Sequence, residues 1–217
     1  MKIKWYGHSS FLLTSKEGVK VITDPYESGA YGGALSYGEI PDEADVVTVS
    51  HDHADHYTAS LKGKPGVLNK QGKQTVRGIE FHGIPTYHDN SKGKERGKNL
   101  IFMFALDGIS VCHCGDLGHR LSKEELSQVG KVDLLLIPVG GFYTLEPAEA
   151  VKVAQDIGPK IIIPMHYKTE KCGFPITGVE EFLKDWKKVK KVDSSELQIE
   201  AEKLPAQTEV IVLKHAL

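Results

Sequence analysis

Residues 51 to 56 read His51-Asp52-His53-Ala54-Asp55-His56, which places three of the chain's ten histidines in six consecutive positions. Imidazole is the commonest metal ligand among side chains, so this clustering points first to metal chemistry. On an extended segment leaving a sheet, side chains two apart project to one side, and His51 and His53 can then reach one ion. A turn after them lets Asp55 and His56 face a second. A solvated polar loop is the competing explanation. It fits poorly with the apolar run Ala44 to Val49 directly upstream, which reads as a buried strand delivering its C-terminal end to Ser50-His51.

The elements that must carry this cluster are legible on both sides of it. Ile3 to Thr14 is rich in strand formers and pairs as a hairpin with Val19 to Thr23 across Ser15-Lys16-Glu17-Gly18, with Asp24-Pro25 as a stop. A helix is expected soon after His56. Further strands are expected over Thr75 to Phe81, Asn99 to Leu106 and Ile109 to Cys114, the last two joined by the hairpin dipeptide Asp107-Gly108. The second half alternates. Helix Leu121 to Val129 carries a capping box at Ser122 and Glu125, strand Val132 to Val139 follows, and helix Glu146 to Ile157 has Pro147 in its first turn and Gly158-Pro159 as its stop. Strand Lys160 to Pro164, helix Val179 to Lys188 and strand Glu209 to Leu213 complete the chain. Such alternation suggests two packed sheets with helices on the outer faces.

Composition narrows the function classes. The 217 residues, 40% hydrophobic and without a linker or low-complexity stretch, fit one globular domain over residues 1–217. Lys and Arg total 27 against 29 Asp and Glu, and the formal charge of -2 offers no broad surface for long nucleic acid or anionic membrane. No segment approaches the roughly 20 apolar residues of a membrane span, and the start of the chain lacks the apolar core of an export signal. Three cysteines, an odd number at spacings unsuited to a disulfide framework, favour a reducing, cytoplasmic setting. Sheet edges leave association into a homo-oligomer open.

The H-x-H-x-D-H string at 51–56 resembles that of the metallo-β-lactamase superfamily, and later positions extend the likeness. Pro85-Thr86-Tyr87-His88, Gly115-Asp116 and Pro164-Met165-His166 match, in order, the family's later histidine, aspartate and histidine. The resemblance implies a four-layer αββα sandwich, an α/β fold of two mixed sheets flanked by helices. It also implies a binuclear site in which His51, His53 and His88 hold one metal, Asp55, His56 and His166 the other, and Asp116 bridges them. Tyr6-Gly7-His8-Ser9-Ser10-Phe11, Thr23-Asp24-Pro25, Cys112 to Asp116, Pro138-Val139-Gly140-Gly141 and Met165-His166-Tyr167 are similar to the branch containing ascorbate-6-phosphate lactonase. True zinc β-lactamases commonly carry a cysteine at the position of Asp116, so this chain departs from them.

A site of this kind lowers the pKa of a shared water from roughly 15.7 towards neutrality and uses the resulting hydroxide as nucleophile. The expected activity is hydrolysis of a small lactone, ester or phosphodiester. The alternatives are a phosphodiesterase or nuclease of the same fold, and a di-iron redox protein. Imidazole and carboxylate ligands suit zinc and also admit manganese or iron. Asp55, Asp116 and His8 are the expected catalytic residues. His8 follows a strand and reads either as a substrate or proton-transfer group or as a hydrogen-bonded structural histidine. Asp24 could orient a ligating imidazole, or simply end a strand in an Asp-Pro turn. Cys112 and Cys114 read as small buried strand residues rather than thiolate ligands. The basic stretch Ser91 to Lys98 follows His88, and Lys94 and Arg96 in it, with Lys168 beside His166, could receive an anionic group on a small-molecule substrate. Pocket shape is left to loops Glu27 to Glu39 and Lys168 to Thr177.

Overall fold

Alternation of side chains along the first strands divides the apolar residues between two cores. Ile3, Trp5, Phe11, Leu13 and Val21 face one way and join a continuous buried cluster with Ile84, Phe102 and Leu136. Tyr6, Leu12, Ile22 and Val47 face the other way and pack with Leu35, Tyr37, Cys172 and Phe174. A sheet apolar on both faces must be covered on both. The computed structural model, which describes residues 1–217, shows how.

The strands are β1 (Lys2–Gly7), β2 (Ser10–Thr14), β3 (Lys20–Thr23), β4 (Val46–Thr48), β5 (Gly66–Leu68), β6 (Gly72–Val76) and β7 (Ile79–Tyr87) in the first half. They continue as β8 (Lys98–Leu106), β9 (Ile109–His113), β10 (Leu134–Pro138), β11 (Ile161–Met165), β12 (Val189–Lys191), β13 (Glu196–Gln198) and β14 (Glu209–Val212). A smaller sheet runs β13-β1-β2-β3-β4-β5 and a larger one β12-β14-β11-β10-β9-β8-β7-β6. Both are mixed: β3, β4 and β5 are parallel in the first, β9, β10, β11 and β14 in the second. The helices are α1 (Ala30–Gly33), a single irregular turn, α2 (Lys123–Val129), α3 (Pro147–Ile157) and α4 (Glu180–Leu183). The full capping box of Ser122 and Glu125 is present on α2, and α3 starts at Pro147 and ends at a left-handed Gly158.

The αββα plan has uneven flanks. α2 and α3 pack on the larger sheet and α4 packs against α3, with Ala150, Val151, Val153 and Ala154 of α3 buried. The smaller sheet is covered by irregular segments around α1 and residues 172–176. Four expectations from sequence are corrected. Residues 3–14 are two antiparallel strands, reversed where Gly7 (φ 140°) and His8 (φ 49°) break the ladder. Residues 75–81 likewise turn, at Arg77-Gly78, where both φ angles are positive. No helix follows His56, because a single turn closed on the His53 carbonyl gives way to Gly63 and Pro65 as the chain returns to β5. The helix after Val179 stops at Leu183, since the chain must become extended by Val189 to pair with β14.

Candidate metal centre

Strand ends from both sheets converge on one edge. The chain leaves β4 through Ser50 to His51, and His53, Asp55 and His56 follow within one turn. His88 directly follows β7, His166 directly follows β11, and Asp116 lies three residues beyond β9. His8 sits in the β1–β2 reversal, and its carbonyl accepts the amide of His166 at 3.1 Å. His8 and His166 are both left-handed, and their ring centres are 4.0 Å apart. Gly115 has φ 53°, and a Cβ there would fall 2.4 Å from Asn99 Oδ1, so glycine is required beside Asp116. Asn99 Oδ1 accepts the Asp116 amide at 2.9 Å, which fixes the approach of the carboxylate.

All the residues named from the motif come together. Ligand-capable atoms within 4.8 Å of one another form three sets: His51, His53 and His88; His8, Asp55, His56 and His166; and Asp116 with His51 and His56. Asp116 thus touches both of the other sets. Its Oδ1 lies 2.9 Å from His56 Nε2, and its Oδ2 lies 3.0 Å from His88 Nε2 and 3.4 Å from His166 Nε2. Buried polar atoms are normally paired. Here His51 Nε2, His56 Nε2, His166 Nε2 and Asp116 Oδ1 are buried without an aligned hydrogen bond, all turned towards the same space. Imidazole nitrogens and a carboxylate oxygen left unpaired together fit a divalent cation.

Outer contacts set the imidazoles. Asp24 Oδ2 lies 2.7 Å from His56 Nδ1 and accepts the Ser50 hydroxyl at 2.6 Å, while Asp24 Oδ1 accepts the Ser50 amide. Ser50 Oγ is 2.9 Å from His51 Nδ1. His113 lies behind the site, with Nε2 on the Ser9 carbonyl and Nδ1 accepting the Gly115 amide.

Charge and burial oppose each other throughout the cluster. Burial brings His51 down to about 3 and His8 down to about 4, so both rings are neutral. Burial also pushes His56 down, but the carboxylates of Asp116 and Asp55 outweigh it and hold that imidazole protonated. Asp116 is the mirror image. Burial raises it, and the surrounding imidazoles of His166, His56 and His88 pull it well below the usual carboxylate range.

The mouth of the site is a cavity of about 450 Å³ lined by Tyr31, His53, Asp55, His88, Glu95, Arg96, Asp116, Tyr143 and Phe174. Of the three cationic residues proposed from sequence, Arg96 lines it. Lys94 is exposed outside the cavity, and Lys168 donates its ammonium to the Phe174 carbonyl at 2.7 Å. Cys112 and Cys114 are buried in the larger core and Cys172 in the smaller, all as free thiols. Sequence reasoning missed Asn99, Ser50 and the aromatic residues Tyr31, Tyr143 and Phe174. For the aromatic residues the available signal was a glycine within two positions, Gly32, Gly141 or Gly173, and for Tyr31 and Phe174 their place in the two loops already expected to shape the pocket.

Comparison with known proteins gives the family. The family model for the β-lactamase superfamily domain matches residues 2–166. A UPF0173 metal-dependent hydrolase of Archaeoglobus fulgidus is 29% identical, over 92% of this chain and 94% of the relative. One of Methanoculleus marisnigri is 31% identical, over 78% of this chain and 82% of the relative. The crystal structure of a Thermotoga maritima protein assigned as a zinc-dependent hydrolase of the metallo-β-lactamase superfamily superposes with a TM-score of 0.81. It is 38% identical and covers 98% of this chain and 97% of its own. With the family model spanning most of the chain and the histidine and aspartate cluster at the sheet edge, the chain belongs to the metallo-β-lactamase superfamily, as a metal-dependent hydrolase.

Proposed function

We propose that this hydrolase works with two divalent cations, held on either side of Asp116, and cleaves a small lactone, ester or phosphodiester. The observation that carries the reading is the sorting of the ligand atoms: one set of three histidines, a second set containing Asp55, His56 and His166, and an aspartate that reaches both. Divalent cations supply Lewis acidity and lower the pKa of water. The chain's residues do the rest. Asp24 and Ser50 fix the imidazoles of His56 and His51 with Nε2 turned inward. His8, kept neutral by burial, donates from Nε2 to Asp55 Oδ2 at 3.2 Å, and holds a proton beside the reacting bond. Arg96 provides a cation at the mouth for an anionic substrate group.

Zinc is the ion assigned, supported by the imidazole-rich donor set and by the zinc dependence assigned to the Thermotoga relative. Manganese and iron satisfy the same donors. A lactone is favoured among the substrates by the resemblance of residues 6–11 and 112–116 to the lactonase branch. One domain over residues 1–217 and a cytoplasmic setting complete the reading, the latter supported by three free buried thiols. No helix is long and apolar enough to cross a membrane. Equilibrium dialysis against zinc, followed by a screen of lactones, aryl esters and phosphodiesters on the loaded protein, tests the proposal. Two ions per chain and turnover abolished by both Asp116→Ala and His53→Ala are expected. One ion per chain, or turnover that survives both substitutions, would overturn it.

A further inference from the structure

Four aromatic rings run as a continuous wall along one side of the site's mouth. Tyr31 packs edge-on to Phe174, with ring centres 5.4 Å apart. Phe174 meets Tyr143 at 5.6 Å, and Tyr143 meets Phe142 at 4.7 Å, again edge to face. The Arg96 guanidinium lies 5.8 Å from the centre of the Tyr143 ring. Glu95 lines the same cavity and pairs with the guanidinium through Nη1 alone, at 3.6 Å and in the open, which leaves the other guanidinium nitrogens as donors. The wall continues past the main cavity. A second cavity of about 260 Å³ shares His88, Glu95, Arg96 and Tyr143 with it and has Phe142 in its lining.

Two rings of this wall are held out of the core at a cost in backbone strain. Tyr31 and Phe142 are the most exposed large apolar residues of the chain, at 53% and 54%. Both have left-handed backbones, φ 54° and 61°, a conformation bulky residues rarely adopt. Each is secured. The Tyr31 hydroxyl donates to Asp55 Oδ1 at 3.0 Å, and the Phe142 amide donates to Glu146 Oε1 at 2.9 Å. An aromatic ring pinned in solvent on a strained turn gains nothing from folding alone. It gains when a flat apolar group covers it.

The geometry points to a substrate with a planar aromatic body and one oxyanion. Its ring lies against Phe174 and Tyr143 beside Tyr31, its anion pairs with Arg96, and its scissile bond faces Asp55, His88 and Asp116, all of which line the one cavity. This inference rests on the hydrolase reading above and names the substrate class for it.

The test compares three esters with primary-alcohol leaving groups on the zinc-loaded protein: 4-(acetoxymethyl)benzoate (ring and anion), benzyl acetate (ring alone) and 4-(acetoxymethyl)cyclohexanecarboxylate (anion alone). The first is expected to exceed each of the others by about tenfold in kcat/KM. Tyr143→Ala and Phe174→Ala should collapse the ratio of the first ester to the third, and Arg96→Gln the ratio of the first to the second. Binding of 4-hydroxybenzoate, followed by calorimetry, separates the two readings, since it needs no turnover. If no ester is cleaved, the proposed reaction fails for esters, and the subsite still stands if 4-hydroxybenzoate binds and Tyr143→Ala and Arg96→Gln each weaken it. Equal use of the three esters overturns the inference. So does 4-hydroxybenzoate binding that is absent or indifferent to both substitutions.

Discussion

Asp24 and His56, 32 positions apart in sequence, are joined by a 2.7 Å contact between two fully buried side chains, Oδ2 to Nδ1. The contact decides which imidazole nitrogen faces the proposed metal. With Nδ1–H donated to Asp24, the lone pair of Nε2 points at the space beside Asp116. Asp24→Ala is expected to weaken zinc affinity about 10- to 100-fold, the usual scale for losing such an outer partner. Competition against a chelator of known affinity measures it, and an affinity equal to wild type would remove Asp24 from this role.

Metal uptake should release protons. His56 is held protonated by Asp116 and Asp55 against the pull of burial, and His88 is raised by Asp116 in the same way. His51, brought down to about 3 by burial, already has a bare nitrogen. A raised group must lose its proton to ligate. Affinity therefore climbs as pH rises towards the raised values and is weakest in acid, where those nitrogens stay protonated. Titration calorimetry in buffers of different ionisation enthalpy should give a buffer-dependent heat; identical heats would show that no proton leaves.

Gly118 tests the packing behind His88. A Cβ at this position would fall 2.3 Å from the His88 carbonyl carbon and 2.4 Å from the Asp89 nitrogen. Both are backbone atoms, which cannot swing aside as a side-chain tip can. Gly118→Ala is expected to cost about 1–3 kcal/mol of stability, the scale of overpacking, and to lower metal retention together with it. Thermal unfolding and metal content of the purified variant read the two effects.

Asp89 organises the basic loop. Its carboxylate accepts the backbone amides of Ser91, Gly93, Glu95 and Arg96 at 2.7 to 3.0 Å, and these donors outweigh burial to bring the acid down to about 2. Asp89→Ala leaves the four amides without that acceptor and frees Arg96 to leave the mouth. The expected result is a rise in KM for anionic substrates larger than the fall in kcat, with a stability loss of order 2 kcal/mol. A change confined to kcat would place the effect on His88 instead.

How far the sequence discloses this molecule depends on the range of the forces involved. The cluster at 51–56, the capping box at Ser122 and the Asp107-Gly108 turn are local patterns, and each reads directly. His88, Asp116 and His166 are distant in sequence, and they become legible only through resemblance to a family, because nothing local to Pro164-Met165-His166 says which strand lies next to it. The missing helix after His56 and the reversal at His8 fail for the same reason. Tertiary contacts settle them: a Cβ at Gly7 would meet the Tyr37 ring at 2.4 Å, and Tyr37 comes from another segment. The loop aromatics were opaque because composition does not reveal that Tyr31, Phe174 and Tyr143, drawn from three separate loops, stand in one row. Lys94 and Lys168 illustrate the converse, since closeness in sequence to a proposed ligand did not bring either ammonium into the cavity.

The origin of the proposed ligands has a mechanical consequence. His51, His53, Asp55 and His56 leave the smaller sheet through β4, whereas His88, Asp116 and His166 leave the larger one through β7, β9 and β11. An ion shared among them is a clasp across the seam between the sheets, a cross-link made without any of the three cysteines. Stripping the metal should then do more than silence the enzyme. The two halves would lose their fastening at that edge, and amide exchange should accelerate first in the loops that bracket it, before the apolar seam beneath begins to open.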